Sequence, residues 1–359
     1  MQWQDFRLHK RLNLNPAVIE LVYQTISEID GIKNSWQITK QLLPQTIERL
    51  TRSVIVTSTG SSNRIEGNRL SDIEVEHLYK DLRVKKFKTR DEQEIAGYLK
   101  CLESVFNNYN NIPISESSIL ALHHDMLIFS ERDVRHKGHY KFGSNRVEAK
   151  DAKGNIVGVI FDPTPPYLVK KEMQELIDWY LWASATKAKH SLILIANFIF
   201  EYLAIHPFQD GNGRTSRLLT NLMLLQQGYL FTQIVSHERI IEANKMDYYL
   251  ALNKTQSTWK TATEDITPRL QFFLNIIKSQ STQALKIIEG DNIEYLLSEK
   301  QLLLWNWILE QSTEFSRKDA VNALGFPERT IESIIKKLVM LKRLQRLGQG
   351  KATRYRLIH

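Results

Sequence analysis

Twelve consecutive residues, His206-Pro207-Phe208-Gln209-Asp210-Gly211-Asn212-Gly213-Arg214-Thr215-Ser216-Arg217, concentrate a base, a carboxylate, two glycines and two guanidinium groups between two apolar helical patterns. Proline disfavours α geometry in the residue before it and has no amide to donate, so Pro207 ends the first helix. Gly211 and Gly213 let the backbone come close to a ligand, and with Asn212 they aim their amides outward at the start of the next helix. A helix N-terminus with exposed amides and a positive dipole end binds phosphate, and Arg214 and Arg217 fall on neighbouring sites of its first turns. Arginine suits forked contacts with phosphate oxygens. Asp210 is the kind of carboxylate through which Mg²⁺ is held beside a nucleotide. His206 titrates near neutrality and can take a proton from an attacking hydroxyl. Taken singly, the histidine reads as a capping or packing residue and the DGNG run as a tight turn; together they describe a phosphate-transfer site. It is not a Walker site, because GxxxxGK[ST] is absent.

The run His206 to Arg214, HPFQDGNGR, resembles the HPFx[DE]GNGR motif of Fic proteins at every fixed position and continues to the second arginine, Arg217. That resemblance implies a mainly α fold, a Fic-type helical core with a β-hairpin flap. It also implies an activity: a protein adenylyltransferase, a nucleotidyltransferase that moves AMP from ATP to a Ser, Thr or Tyr hydroxyl of a target protein and releases pyrophosphate. By the same resemblance His206 is the general base, Asp210 holds Mg²⁺, and Gly211, Asn212 and Gly213 line the anion hole. Arg214 and Arg217 bind the outer phosphates of ATP, and Phe208 anchors the loop in the core. Tyr248 and Tyr249 resemble residues that border the adenine, and Gln256 stands where some members have Asn. Gly138-His139-Tyr140-Lys141 lies where the family often has GxYR, so Lys141 departs from the usual arginine.

Further upstream, Ser62-Asn63-Arg64-Ile65-Glu66-Gly67-Asn68 resembles the [S/T]xxxE[G/N] inhibitory motif of the same proteins. On spacing alone it is an ordinary short helix with a glycine C-cap. As a brake, Glu66 is expected to form a bidentate pair with Arg217 and to occupy the place of the γ-phosphate, so that ATP binds in a pose that spoils in-line attack. The same glutamate in some relatives orients water for AMP removal, which leaves a de-AMPylating hydrolase as the alternative. A nucleotide-sensing, DNA-binding regulator is the other.

The elements that must hold these residues follow from the rest of the 359-residue chain, which is long enough for two or three domains. With 42% hydrophobic and 25% charged residues, 9 prolines and 15 glycines, it is neither collagen-like nor wholly disordered. The single cysteine, Cys101, forms no intrachain disulfide or multi-cysteine metal site, and a reducing cytoplasm is the expected compartment. The most apolar stretch, Ser191 to Phe208, is too short and too polar to span a bilayer, and the first residues lack the apolar core of a signal peptide, so no membrane partner is expected. Helical spacing recurs over Ile114–Phe129, Val169–Trp182, Leu192–Ile205 and Arg217–Gln227. Two or three helices are expected before about Leu82. Between Gly138 and Pro166, β-branched runs flank a turn at Lys153-Gly154-Asn155, which predicts a β-hairpin. Its edge is either covered or offered to a partner; the resemblance makes it a flap along which a target protein docks.

These readings divide the chain into an N-terminal helical region with the inhibitory motif (1–89), a Fic core (90–274), a linker helix (275–297) and a C-terminal module (298–359). From Lys300 onward twelve Lys/Arg face five Asp/Glu, which places nearly all of the chain's net charge of +8 in that module. Helical patterns over Ser298–Gln311, Arg317–Leu324 and Thr330–Leu341, then strand patterns over Leu344–Leu347 and Thr353–Leu357, resemble a winged helix-turn-helix. Lys336, Lys337, Lys342, Arg343, Arg346, Lys351, Arg354 and Arg356 would touch phosphates, with Arg329 and Glu332 near the start of the recognition helix. The same fold serves as a protein-docking or dimer module, so DNA, a partner protein and a homodimer all remain open, as does self-modification.

Overall fold

Helical spacing of apolar residues sets most of the architecture. The computed structural model describes residues 3–38, 44–81, 87–150, 156–288, 297–309, 311, 314–341, 343–348, 350 and 353–358. In chain order these give α1 (Arg7–Lys10), α2 (Pro16–Ile38), α3 (Pro44–Ile65), α4 (Asp72–Asp81), α5 (Arg90–Asn108), α6 (Glu116–Met126), β1 (Val147–Lys150), β2 (Ile156–Phe161), α7 (Pro166–Ala185), α8 (Ser191–Ile205), α9 (Asn212–Gln226), α10 (His237–Ala243), α11 (Lys245–Gln256) and α12 (Thr267–Ile288). There follow α13 (Glu299–Leu309), α14 (Arg317–Leu324), α15 (Glu328–Met340), β3 (Leu344–Leu347) and β4 (Arg354–Leu357). The chain divides into two units, Met1–Ile288 and Glu289–His359. No helix among the described residues is long and apolar enough to cross a membrane.

In the first unit α8 is the central rod. It is apolar all round, every residue after Ser191 is buried, and α7, α9 and α12 pack about it. Its one acid, Glu201, sits in the apolar interior because α1 brings it two arginines. Arg7 Nη2 reaches Glu201 Oε1 at 2.5 Å, Arg11 Nη1 reaches Oε2 at 2.6 Å, and Arg11 Nε donates to Asn197 Oδ1 at 2.6 Å. Burial alone would raise the Glu201 carboxyl, but Arg11 and Arg7 outweigh it and bring it down to about 2.

Helices α5 and α6 cross backbone against backbone at Gly97. A Cβ there would lie 2.0 Å from the Met126 carbonyl oxygen. Neither backbone can yield to it, so Gly97→Ala is expected to lower unfolding free energy by about 1–3 kcal/mol or more, read as a lower urea midpoint with unchanged slope. An unaltered midpoint would mean that α5 and α6 slide apart without cost.

The segment before residue 90 is a helical region, with four helices where two or three were expected. It forms α1 to α4, and these pack into the same unit: α2 against α12, α3 against α5 and α10. The expected linker helix of 275–297 is likewise corrected. Its first part continues α12, because Ile276, Ile277, Ala284 and Ile287 bury an apolar face. Residues 289–296 lie outside the described residues. The hairpin forms as expected, antiparallel with Val147 opposite Phe161 and Ala149 opposite Gly158. Its base is anchored where Phe161 packs on Trp259, ring centres 5.5 Å apart. Its turn residues Lys153, Gly154 and Asn155 lie outside the described residues.

The second unit has the expected order of three helices and an antiparallel hairpin, in register Leu344 opposite Leu357. Ser316 and Asp319 cap α14 reciprocally and Gly325, at φ 66°, closes it. Leu304, Trp305, Ile308, Phe315, Ile331, Ile334, Ile335 and Leu338 form its core. Lys342 and Lys351 lie outside the described residues.

Candidate active site

The loop between α8 and α9 is built by three side chains. His206 caps α8 in the left-handed conformation, φ 53°. Phe208 is fully buried and stacks on the His123 ring at 3.6 Å. Asn212, also buried, accepts from Phe208 N at 2.9 Å and donates to Phe208 O at 2.8 Å, which closes the turn. The Asn212 side chain therefore serves the loop and only its amide is left for a ligand. Helix α9 opens at Asn212, so the amides of 212–214 are among the unpaired donors of its first turn.

His123, on α6, is a site residue that the sequence reading missed. Its Nδ1 accepts from Gly138 N at 3.0 Å, so Nε2 carries the proton and donates to the Asp210 carbonyl, also at 3.0 Å. Burial pulls its pKa down to about 4, which keeps it neutral and this tautomer fixed. Nothing local in the run Leu122-His123-His124-Asp125 marks it; only the stacked Phe208 gives it a purpose.

His206 Nδ1 donates to the Leu203 carbonyl at 3.1 Å, leaving the Nε2 lone pair for a proton. Burial, with Lys141⁺ adding to it, holds His206 down to about 4, so it is a neutral base at ordinary pH. Asp210 is 42% exposed at the side chain and accepts from Gly211 N at 2.5 Å. Burial would raise its carboxyl; Arg214, the Gly211 amide and Arg90 outweigh that and keep it ionised. One half-exposed, ionised carboxylate beside a helix N-terminus fits a Mg²⁺ whose other ligands are phosphate and water.

Arg214 pairs with Glu94 at 3.2 Å and Arg217 with Glu66 at 2.7 Å. Both arginines are buried, and Arg214 Nε and Arg217 Nη1 have no hydrogen-bond partner among the described residues. Such donors are costly inside a protein unless an anion meets them. Arg217 Nη1 lies 3.4 Å from where a Gly213 Cβ would stand and Glu66 Oε1 only 2.1 Å from it, so arginine, glutamate and loop backbone converge on one spot.

Glu66 does reach Arg217, but not through both oxygens. Oε1 alone accepts from Nη2, while Ser62 takes Nε with its hydroxyl at 2.8 Å and Nη2 with its carbonyl at 2.9 Å. Ser62 lies one turn before Glu66 on the same helix face, so the two share the guanidinium that a carboxylate alone was expected to fork. Glu66 ends α3 in a Schellman turn: Asn68 N bonds Asn63 O at 3.1 Å, Gly67 N bonds Arg64 O at 3.0 Å, and Gly67 takes φ 97°. Arg64 pins that end, forking Glu242 at 2.7 and 3.0 Å and meeting Asp72 at 2.9 Å. Burial raises the Glu66 carboxyl, but Arg217 and then Arg214 bring it below the usual range.

The residues expected at the adenine divide. Tyr248 is 3% exposed, with Arg269 over its ring at 4.7 Å, so its faces are already covered. Tyr249 is 36% exposed, and burial and the Glu66 charge both push its hydroxyl upward, so it lies toward Glu66. The two are consecutive on α11, and their rings meet edge-on with centres 5.1 Å apart. Gln256 ends α11 half-buried, with no hydrogen bond to the loop among the described residues.

With this geometry in view, comparison with known proteins is decisive for the domain. Residues 113–224 match the model of the Fic/DOC family. They form a Fic domain. Among similar proteins, a probable protein adenylyltransferase of Aquifex aeolicus is 27% identical over 154 residues, 40% of this chain and 47% of the relative. The protein adenylyltransferase Fic of Nematostella vectensis is 25% identical over 267 residues, 74% of this chain and 56% of the relative. The chain thus spans about half the length of these curated relatives. The crystal structure of a Fic family protein from Desulfovibrio desulfuricans shares the fold, with a TM-score of 0.61 and 23% identity over 96% of this chain and 97% of that one. The Fic domain is a mainly α fold with a hairpin, and around it lie the helices that carry Ser62, Glu66 and Tyr249.

Proposed function

We propose that the chain is a protein adenylyltransferase, held in check by Glu66, that moves AMP from ATP to a Ser, Thr or Tyr hydroxyl of a target protein or of itself. The observation that carries this reading is a neutral His206, its Nε2 unprotonated, beside a helix N-terminus flanked by two buried arginines with unpartnered nitrogens. In the reaction His206 Nε2 takes the hydroxyl proton as the oxygen attacks the α-phosphorus; the bond from that phosphorus to the bridging oxygen breaks, and pyrophosphate leaves. Arg214, Arg217 and the amides of 212–214 hold the outer phosphates, and Asp210 would hold the Mg²⁺ that neutralises them. Incubation of a Glu66→Gly chain with α-labelled ATP and lysate tests the reading; absence of covalent label would sink it.

The pH profile follows from His206. Its folded pKa lies below the unfolded one, so the active base form persists down to about pH 4. The acid limb of kcat/KM in Glu66→Gly is expected there, and a limb near 6.5 would place the base in open solvent.

A second reading, AMP removal, is favoured by one feature: Glu66 Oε2 has no hydrogen bond among the described residues and the side chain is 36% exposed, so it can orient water. Release of AMP from a modified target by wild type, but not by Glu66→Gly, would support it.

For the second unit we propose a winged helix-turn-helix that binds DNA. Arg329, Arg346 and Arg354 are exposed and in no ion pair among the described residues, whereas Arg317, Lys336 and Arg356 are held by Glu328, Glu332 and Glu314. Three phosphate contacts give a slope of about −3 in log affinity against log salt for duplex DNA. No binding at low salt would leave a docking module.

A further inference from the structure

Four consecutive carbonyls of the base loop, from Ile205 to Phe208, are each met by a donor from the segment 141–145. Lys141 Nζ donates to Ile205 O at 3.2 Å and the Lys141 amide to Pro207 O at 2.8 Å. Asn145 Nδ2 donates to His206 O at 3.1 Å and to Phe208 O at 2.7 Å. The two side chains also lock each other, Lys141 Nζ donating to Asn145 Oδ1 at 2.7 Å. Lys141 is 4% exposed and in no ion pair among the described residues, an expensive place for an ammonium group unless its hydrogen bonds are needed.

The loop has reason to need them. His206 holds φ 53°, a geometry that a residue with a Cβ keeps only where its surroundings enforce it. Pro207 has no amide with which to brace it, and among the described residues the His206 ring is bonded only to Leu203 O, within its own helix. Ile205 O is moreover one of the orphan carbonyls at the end of α8, which Lys141 satisfies.

We propose that Lys141 and Asn145 are positioning residues, one clamp that holds the base loop in its left-handed turn and so sets where His206 Nε2 meets the target hydroxyl. The inference rests on the adenylyl-transfer reading. Asn145 lies two residues before β1, so the clamp also joins the flap to the base, and a segment docked on the hairpin is registered against His206 by the same hydrogen bonds. The ammonium head of Lys141 reaches Asn145 Oδ1 and Ile205 O together.

In a Glu66→Gly background, Asn145→Ala and Lys141→Met are expected to lower kcat for AMP transfer by about 10–10²-fold while ATP affinity by calorimetry stays within about 3-fold, because misplacing a reacting group by about 1 Å costs that much in rate without touching the phosphates. The double variant should be no slower than the slower single one, and Lys141→Arg, which keeps a buried donor, should recover most of the rate. Unchanged kcat, additive losses, or a parallel fall of kcat, ATP affinity and melting temperature would each overturn the clamp. If Glu66→Gly transfers no label at all, the adenylyl-transfer reading fails; the clamp is then decided by the His206 ring ¹⁵N shifts. Movement of those shifts in Asn145→Ala at unchanged melting temperature supports it, and unmoved shifts reject it.

Discussion

In His206→Ala, AMP transfer falls by about 10²–10⁴-fold, the usual worth of a positioned general base, while ATP binding by calorimetry changes little. The separation is expected because the base and the phosphate ligands stand on different parts of the loop. His206 caps α8, its side-chain bond runs back to Leu203 O, and the arginines belong to α9. The imidazole removal takes away no donor to the phosphates, and the loop keeps its supports in Phe208 stacked on His123 and in Asn212. Initial rates with α-labelled ATP in the Glu66→Gly background give the number. Wild-type turnover would assign the proton to another group.

Removing a carboxylate from an active site ordinarily lowers activity, yet Glu66→Gly is expected to raise AMP transfer by about 10–10²-fold. The expected gain is the hydrogen bond from Arg217 Nη2 to Glu66 Oε1 that ATP no longer has to displace, worth about 1.5–3 kcal/mol for a charged pair. The lower end is favoured because the glutamate is 36% exposed and partly screened by water. The gain should need the freed arginine, so Glu66→Gly with Arg217→Ala falls back toward wild type. Ser62 gives a control: it holds Nε and Nη2 of the same guanidinium through its hydroxyl and carbonyl, so Ser62→Ala removes one anchor of Arg217 without freeing it from Glu66. An unchanged rate in Glu66→Gly would make the Schellman turn at Gly67 an ordinary helix end.

What the sequence makes legible is whatever is encoded within a few residues. Helix α14 lies where Ser316, Asp319 and Gly325 say it should, because a capping box and a C-terminal glycine are local devices. Helix α9 begins five residues before its apolar pattern does, since Asn212 to Ser216 are polar or glycine and carry no periodic signal. The contacts that shape the site are of longer range. Tyr248 is sealed by Arg269, 21 residues on, and His123 acquires its task from a phenylalanine on another element. The linker assignment failed for the same reason. Residues 275–288 look polar in isolation, and their buried face is visible only once α2 is there to cover it.

The two arginines of α1 bear on what may be cut away. Glu201 lies five residues before His206 in the driest part of the molecule, and among the described residues its charge is met by Arg7 and Arg11, some 190 positions earlier in the chain. A fragment trimmed to the stretch that matches the family, 113–224, would keep the acid and lose both counter-charges. Stranding one member of a buried ion pair costs about 3–5 kcal/mol, a large part of what holds an ordinary domain folded. The portion recognisable by descent is therefore smaller than the portion that stands alone, and shortening the chain from its front end withdraws support from the helix that His206 caps.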